Sequence, residues 1–407
     1  MKIHTHTLGC KVNFADVQSV LEKLDEKAST PAAIVGTCCV TAEGEKQSRK
    51  EVRRASREVG PDGNVFVTGC AARLKPDEFA GLAENVVVLS GEPDEVARGI
   101  IERLGEDPAA VRQEVVTGDR TRFFLKIQDG CANNCSYCVI PQVRGKPRSL
   151  PAVELLDAAS RMIAAGYPEI VVSGINAGAW RDDDMDLAML MERLAGLDRL
   201  KRLRLSSIEV NGVTPALLEV MQQHPKIGRH LHIPLQSGDD RVLSAMGRRY
   251  HAASFRAAVE RAREALPGVN LTTDAMVGYP VEDEKAAERT LWLLEDLDFS
   301  KVHVFMYSPR PGTAAAALGD PVPVSVKKRR SRFLRFFSDR QQKAHRQRKV
   351  GVASEILLES PLAPGLHGGY SEDYTRFIVE GGCSGELVRV IGENVSEEGV
   401  MGKVDQG

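Results

Sequence analysis

The chain is most constrained by a recurrence: a short strand-like stretch that runs into a cysteine, three times over, about thirty residues apart. Residues 3–8 lead to Cys10 (HTHTLGC), residues 32–36 to Cys38 (AAIVGTC) and residues 64–69 to Cys70 (VFVTGC). Helical patterns lie between them, over residues 12–27, with apolar Val17, Val20, Leu21 and Leu24, and over residues 45–59. A fourth strand at 85–89 and a helix at 92–104 follow. Repeated βα units of this length predict an α/β fold whose N-terminal part is a doubly wound parallel sheet. In such sheets ligands collect beyond the carboxyl ends of the strands, so the fold itself would gather Cys10, Cys38 and Cys70. One such cysteine reads as a small buried hydrophobe. Three at equivalent positions read as ligands of an iron–sulfur cluster that leaves one iron open. Adjacent residues off a strand end point apart, and Gly-Thr-Cys38 matches the other two words, so Cys38 rather than Cys39 is the candidate. Cys383 stands alone and reads as structural.

A turn-rich stretch, residues 105–121, separates this part from a second βα series. Its strands are predicted at 123–128, 169–173, 202–206, 230–233, 270–277 and 301–306, with helices at 152–165, 252–265 and 285–297 among others. Six units in about 220 residues fit a partial (β/α)6 barrel better than a closed eight-stranded one. Beyond Ala353, residues 355–359, 376–380 and 386–391 alternate apolar and polar side chains between Gly- and Pro-rich turns, the pattern of a small all-β module. The expected division is residues 1–108, 119–349 and 350–407. Directly after the first barrel strand, Cys131, Cys135 and Cys138 form a C-x3-C-x2-C loop, again at a carboxyl strand end. A structural zinc would ask for a fourth protein ligand, and no Cys or His lies within ten residues on either side. Eight cysteines in a chain of 407 residues, with no run of the ~18–20 apolar residues a membrane span needs and no signal-peptide pattern, predict a cytoplasmic protein that uses cysteine for metal or redox chemistry.

Charge is segregated. The chain has 54 Lys and Arg against 56 Asp and Glu. Residues 327–349 alone hold eleven basic residues and one acid, Asp339, which leaves −12 on the rest of a chain whose net charge is −2. Phe333, Phe336 and Phe337 share this segment, which predicts a helix with one face packed on the protein and the other presenting cations to a phosphate backbone.

The cysteine loop on a partial barrel resembles the signature of radical S-adenosylmethionine enzymes. The surrounding words narrow it: TLGCKVN at 7–13, TCCVT at 37–41, VTGCAA at 67–72, KIQDGCANNCSYCVIPQVRGKPRS at 126–149, SGINAG at 173–178, HLHIPLQSGDDRVLSAMGRRY at 230–250 and VFMYSPRPGTAA at 304–315. Together they resemble the methylthiotransferase family nearly end to end, and most the branch that acts on N6-threonylcarbamoyladenosine in tRNA. The terminal β module is similar to the RNA-binding TRAM domain. The resemblance implies two 4Fe-4S clusters and S-adenosyl-L-methionine. One cluster, on Cys131, Cys135 and Cys138, would cleave S-adenosylmethionine to a radical; the other, on Cys10, Cys38 and Cys70, would carry the sulfur that reaches carbon 2 of the adenine. It further implies a S-adenosylmethionine site at Gly174 and Asn176, the tRNA anticodon stem-loop as partner, and a reductant protein such as flavodoxin. Arg144 and Arg148, just past the cluster loop, are candidates either for contacting substrate or for ion pairs that close the loop. Near relatives act on isopentenyladenosine in tRNA or on a ribosomal protein aspartate. A two-cluster electron-transfer protein would explain the cysteines but would need neither the barrel nor the basic helix. The chain departs from the family at Gly36, where Asn is usual, and at Val281, where Gly is common; no cluster cysteine is lost.

Overall fold

A computed structural model describes residues 3–24, 31–105 and 121–405. The N-terminal part runs β1 (His4–Thr7), α1 (Lys11–Leu21), β2 (Ala32–Thr37), α2 (Ala42–Val59), β3 (Asn64–Gly69), α3 (Cys70–Leu74), α4 (Pro76–Ala80), β4 (Val86–Val88) and α5 (Pro93–Leu104). The strands form one parallel sheet in the order β1-β2-β3-β4. β2 is an unbroken apolar run because both its faces are covered. Ile34 and Phe66 pack with α1 and α5 on one side, while Ala33, Val35, Val65 and Val67 pack with α2 and Phe79 on the other. Local signals set the helix ends: the Thr41 side chain accepts from Gly44 N at the start of α2, and a Glu92/Glu95 capping box with Pro93 at the first turn starts α5, each satisfying otherwise orphaned N–H groups. The end of the predicted helix 12–27, the turn-rich stretch and the boundary between residues 108 and 119 lie outside the described residues.

The central part contains β5 (Arg122–Asp129), α6 (Ile140–Arg144), β6 (Arg148–Ser149), α7 (Ala152–Ala164), β7 (Glu169–Gly174), the two-residue ribbon β8 (Arg181–Asp182) and β9 (Met185–Asp186), α8 (Leu187–Ala195), β10 (Arg202–Leu205), α9 (Pro215–Gln223) and β11 (His230–His232). It continues through α10 (Asp240–Ala245), α11 (Ala252–Ala265), β12 (Asn270–Val277), α12 (Glu284–Asp296), β13 (Lys301–Met306) and α13 (Val324–Gln347). Sheets β10-β7-β5-β6 and β11-β12-β13 are joined by the parallel bridges Leu203↔Ile227 and Ser207↔His232. The six expected parallel strands thus follow one another as β5-β7-β10-β11-β12-β13, a partial barrel. Outward residues of the strands, such as Leu125, Ile170, Leu203 and Leu271, pack beneath the helices. Trp180 is fully buried there and donates from Nε1 to the Leu150 carbonyl at 3.0 Å.

The N-terminal part covers the inner face of this barrel. Phe14 of α1 lies 5.8 Å from Phe124, the Gln18 side chain accepts from Phe124 N at 3.3 Å, and Asp16 pairs with Lys126. The C-terminal module is a closed five-stranded barrel, β14 (Ala353–Ala363), β15 (Leu366–Ser371), β16 (Arg376–Glu380), β17 (Leu387–Val395) and β18 (Val400–Val404), in the order β14-β15-β16-β18-β17. It docks at the amino ends of the barrel strands. Arg202 donates to the Tyr370 and Glu355 carbonyls, Arg204 to that of Ser371, and Asn270 Nδ2 to that of Asp373 at 2.7 Å.

The basic helix forms, but its packed face is not the predicted one. Phe333 and Phe336 are 55% and 63% exposed, whereas Lys327, Arg330, Leu334 and Ser338 are buried. Those four recur at helical spacing, and each buried cation has an acid: Lys327 pairs with Asp320, Arg330 with Glu282 at 2.6 Å. Paired cations could therefore occupy the inner stripe and leave two of the three phenylalanines outside.

Candidate functional site

The three cysteines that follow β1, β2 and β3 are gathered by hydrogen bonds between strand ends. Asn13, one turn into α1, donates from Nδ2 to the Leu8 carbonyl at 2.6 Å and the Thr37 carbonyl at 3.3 Å. Thr37 Oγ1 donates to the Thr68 carbonyl at 2.6 Å and accepts from Ala72 N at 3.0 Å. Gly69 has φ +93°, and a Cβ there would lie 2.6 Å from the Thr37 carbonyl oxygen, so only glycine lets β3 approach this closely. Cys38 packs against Gly9, where a Cβ would sit 2.9 Å from its Sγ. The Cys39 side chain joins the apolar core beside α2, next to Cys70.

The second cysteine loop leaves β5 through Gly130, φ +70°, where a Cβ would meet the Lys146 carbonyl oxygen at 2.1 Å. Ser136 anchors it from across the barrel, with its N–H to the Met246 carbonyl at 2.9 Å and its hydroxyl to that of Ala245 at 2.9 Å. Arg248 Nη1 donates to Cys135 Sγ at 3.4 Å; the same guanidinium pairs with Glu209 and lies 4.9 Å from the Tyr250 ring centroid.

Arg144 stands between the two sets. Its side chain is almost wholly buried, with Nε 3.2 Å from Cys70 Sγ and Nη1 at 2.9 Å from Asp16 and 3.0 Å from Asp129. The geometry therefore engages Nε and Nη1 of this arginine in contacts between the two parts. Arg148 is exposed and pairs with Glu92 at 2.6 Å. Burial pushes the Cys38 and Cys138 thiols up to about 11, so ligation there would displace protons. Cys70 goes the other way, held down by the hydrogen bond from Cys39 and, against the cost of burial, by the Arg144 cation.

Two cavities flank the Cys131–Cys138 loop. One, of about 260 Å³, is lined by Cys135, Asn176, Glu209 and Arg248. Asn176 is held there by its N–H, which donates to Gln128 Oε1 at 2.8 Å, while Gly174 lets the chain turn closely over Ala177, whose Cα a Cβ would meet at 3.1 Å. The other, of about 140 Å³, lies between Cys138 and the Val40–Thr41 segment that follows Cys38 and Cys39. Met276, Phe305, Tyr307 and Arg310 wall it. Arg310 closes the join by donating to Glu45 at 2.9 Å and to the Cys39 carbonyl at 2.8 Å. Glu209, Arg248 and Arg310 were not singled out from the sequence, although the words around 230–250 and 304–315 contain the two arginines. Among the described residues no three His, Cys, Asp or Glu side chains are set to hold one metal ion. A cluster asks for a wider arrangement, one thiolate per iron, and charge-assisted donors on Cys70 and Cys135 suit ligating sulfur. No helix among the described residues is long and apolar enough to cross a membrane.

Residues 125–294 match the radical SAM superfamily and residues 2–91 the uncharacterized protein family UPF0004. The chain is 35% identical, over 95% of its length and 92% of the relative, to the threonylcarbamoyladenosine tRNA methylthiotransferase MtaB of Bacillus subtilis. It is 30% identical, over 88% of its length and 86% of the relative, to a tRNA-2-methylthio-N(6)-dimethylallyladenosine synthase of Sphingopyxis alaskensis. Among solved structures, the radical S-adenosylmethionine methyltransferase TsrM of Kitasatospora setae superposes with a TM-score of 0.54 at 14% identity, over 90% of this chain and 81% of that one, a likeness of fold. With both halves of the sequence matched and a relative aligned almost end to end, the chain belongs to the methylthiotransferase family of radical S-adenosylmethionine enzymes.

Proposed function

We propose that the protein places a methylthio group on carbon 2 of N6-threonylcarbamoyladenosine next to the anticodon of tRNA. The observation that carries this reading is the small cavity bounded on one side by Cys138 and on the other by the segment following Cys38: a planar base held there would lie between the second cysteine loop and the strand end that carries Cys38. Cys131, Cys135 and Cys138 hold one 4Fe-4S cluster, and Cys10, Cys38 and Cys70 the other. When bound, the clusters and S-adenosylmethionine supply the radical and the sulfur. The chain's own residues position and shield. Asn176, Glu209 and Arg248 offer a polar cavity beside Cys135 for part of S-adenosylmethionine, Arg144 fixes the two sets relative to each other, and the aromatic walls exclude water from the smaller cavity. The target base must leave its stack, at a cost of a few kcal/mol. Exposed Lys328, Arg332, Arg335, Arg340 and Lys343 on α13 can offset it by phosphate contacts. A reductant protein such as flavodoxin is the electron donor in this reading, and the compartment is the cytoplasm.

The test is iron and sulfide content after anaerobic reconstitution, then assay with tRNA carrying threonylcarbamoyladenosine or isopentenyladenosine. About eight irons falling to about four in the Cys131→Ala/Cys135→Ala/Cys138→Ala variant, with methylthiolated threonylcarbamoyladenosine made by the wild type alone, is the expected outcome. Four irons in the wild type would remove the second cluster, and product only from isopentenyladenosine would move the substrate.

A further inference from the structure

A cavity of about 500 Å³ belongs to neither thiol set. It occupies the lower part of the partial barrel, between the amino ends of β11, β12 and β13, the last turn of α13 and the β15–β16 turn of the C-terminal module. Its lining is cationic. Arg346 and Lys301 are already engaged, the first by the Glu397 carbonyl at 2.8 Å, the second by Asp339 at 3.0 Å. Lys11 and Arg376 are not: among the described residues neither side chain makes an ion pair or a hydrogen bond. Lys11 is simply laid over the Tyr374 ring, 5.1 Å from its centroid, and Arg376 Nε is buried without a partner. A third orphan sits with them. Asn270 is 5% exposed and its Oδ1 has no partner, although its Nδ2 is bound to the Asp373 carbonyl. The buried orphans, Arg376 Nε and Asn270 Oδ1, are costly to leave so, and with half-buried Lys11 lining the same cavity the cost is removed by an anion that also offers a donor.

The cavity shares a lining residue, Asp274, with the one at Cys138. Asn270, Thr272, Asp274 and Met276 alternate inward along β12; the first two line the larger cavity, Met276 the smaller, and Asp274 both. From Asn270 to Asp274 the strand spans about 13 Å, so a ligand that starts in one cavity can end in the other. Asp274, the acid at the junction, is turned to His232 at 3.3 Å.

We infer that the larger cavity receives a carboxylate-bearing substituent of the target adenine, its negative end against Arg376 and Lys11 and its hydroxyl or N–H toward Asn270 Oδ1. This deepens the proposed function and rests on it: the threonylcarbamoyl group carries such a carboxylate, an isopentenyl group does not. The same chemistry could be met by a backbone phosphate, and the test separates the two.

Affinities of the anaerobically reconstituted protein are measured by fluorescence anisotropy for three anticodon stem-loops: one with threonylcarbamoyladenosine, one with its threonine methyl ester, and one with plain adenosine. The wild type is expected to prefer the acid to the ester about 10-fold or more, which is 1.4 kcal/mol. In Arg376→Gln that preference falls below about 2-fold while binding of the ester is unchanged; Lys11→Gln reduces it likewise, and Arg376→Lys retains part of it. Equal wild-type binding of acid and ester, or variants that weaken all three stem-loops alike as a phosphate contact would, overturns the assignment. Assay of the same preparation keeps the two readings apart. Methylthiolated threonylcarbamoyladenosine without a carboxylate preference sinks this inference alone. Absence of that product, with binding no better than to plain adenosine, sinks both.

Discussion

Arg310→Ala should loosen the N-terminal sheet from the barrel by an amount the contacts allow us to bound. The Arg310 guanidinium is buried and donates to Glu45 at 2.9 Å and to the Cys39 carbonyl at 2.8 Å, both across the join. Truncation does not strand a lone buried carboxylate, because Lys75 Nζ remains 2.8 Å from Glu45 and Arg49 Nη1 2.5 Å. The 3–5 kcal/mol typical of breaking an isolated buried pair is therefore the upper limit. What is lost is one charge-assisted hydrogen bond, about 1.5–3 kcal/mol, and the donor to a buried carbonyl, about 1–3 kcal/mol, partly recovered by water. We expect about 3 kcal/mol, roughly a 160-fold change at 1.36 kcal/mol per factor of ten. A multidomain chain has no single unfolding free energy, so the assay is native-state amide exchange. It is read at Cys38, whose N–H is held by Ser48 Oγ, and at Glu45, whose N–H is held by the Thr41 carbonyl. Protection there should fall about 160-fold while Leu271 and Val302, in the barrel core, keep theirs. Protection at Cys38 and Glu45 within about threefold of wild type would refute the idea that Arg310 clasps the two parts.

Four further outcomes follow from the same reasoning. Arg144→Met leaves Asp16 and Asp129 with Lys126 as their remaining cation and should cost about 3–5 kcal/mol, seen as lost amide-exchange protection in α1 and β5; unchanged protection would mean the network is exposed to water. Trp180→Phe removes the donor to the Leu150 carbonyl, about 1–3 kcal/mol, and part of a fully buried ring, and should still cost less than Trp180→Ala, which empties the whole site. Arg332→Gln with Arg335→Gln should lower the salt dependence of tRNA binding by about 1–2 in log–log slope, and Phe336→Ala should weaken it by about 1–3 kcal/mol if that ring stacks on a base; no change in either would remove α13 from the RNA surface. Burial works against the Glu45 carboxylate, but hydrogen bonds from Lys75 and Arg49 prevail and bring it down to about 2. A folded-state value below the unfolded one, about 4.3, gives stability that is full above pH ~4.3 and is lost as pH falls through 2. Thermal unfolding of the metal-free protein between pH 5 and pH 2 should therefore slope less steeply in Glu45→Gln.

What the sequence discloses and what it hides divide along physical lines. Strands whose side chains are apolar on both faces, such as β2 and β7, are legible because burial on both sides leaves a continuous apolar run, and the six barrel strands lie within a residue or two of where that pattern puts them. β15 and β18 are not legible: LHGGYS and VMGKV carry glycines where a strand signal wants branched side chains. The small barrel explains them, since a Cβ on Gly369 would meet the Leu357 carbonyl oxygen at 2.5 Å and one on Gly402 that of Ile391 at 2.6 Å. Neighbouring strands close too tightly for any other residue. The inner face of α13 misleads for a related reason. Hydrophobicity nominates Phe333 and Phe336, yet Lys327 and Arg330 go inside because Asp320 and Glu282 await them, and an acid on another segment is invisible to a helical period. The long-range clasps are hidden outright. Glu45 and Arg310 are 265 residues apart in the chain.

The join between the two cysteine sets is charged, although an apolar interface would have held the parts together as well. Asp16 lies on α1 behind Cys10, Asp129 two residues before Cys131, Arg144 on α6 beyond Cys138, and Lys126 on β5. Two anions and two cations meet in a mostly buried group whose formal charges cancel. Such a group adds little net stability over hydrophobic residues of the same volume. It does punish displacement: a shift of α1 by one residue along β5 would leave buried charges unpaired, whereas a patch of leucines could slide and repack. The proposed reaction, in which one small cavity would be presented to two cysteine sets on separate sheets, would lose rate steeply with misplacement, about 100-fold for 1 Å. The quartet therefore acts through register, and its place directly behind both loops, with the Arg144 guanidinium on Cys70 itself, is where register between the sets is decided.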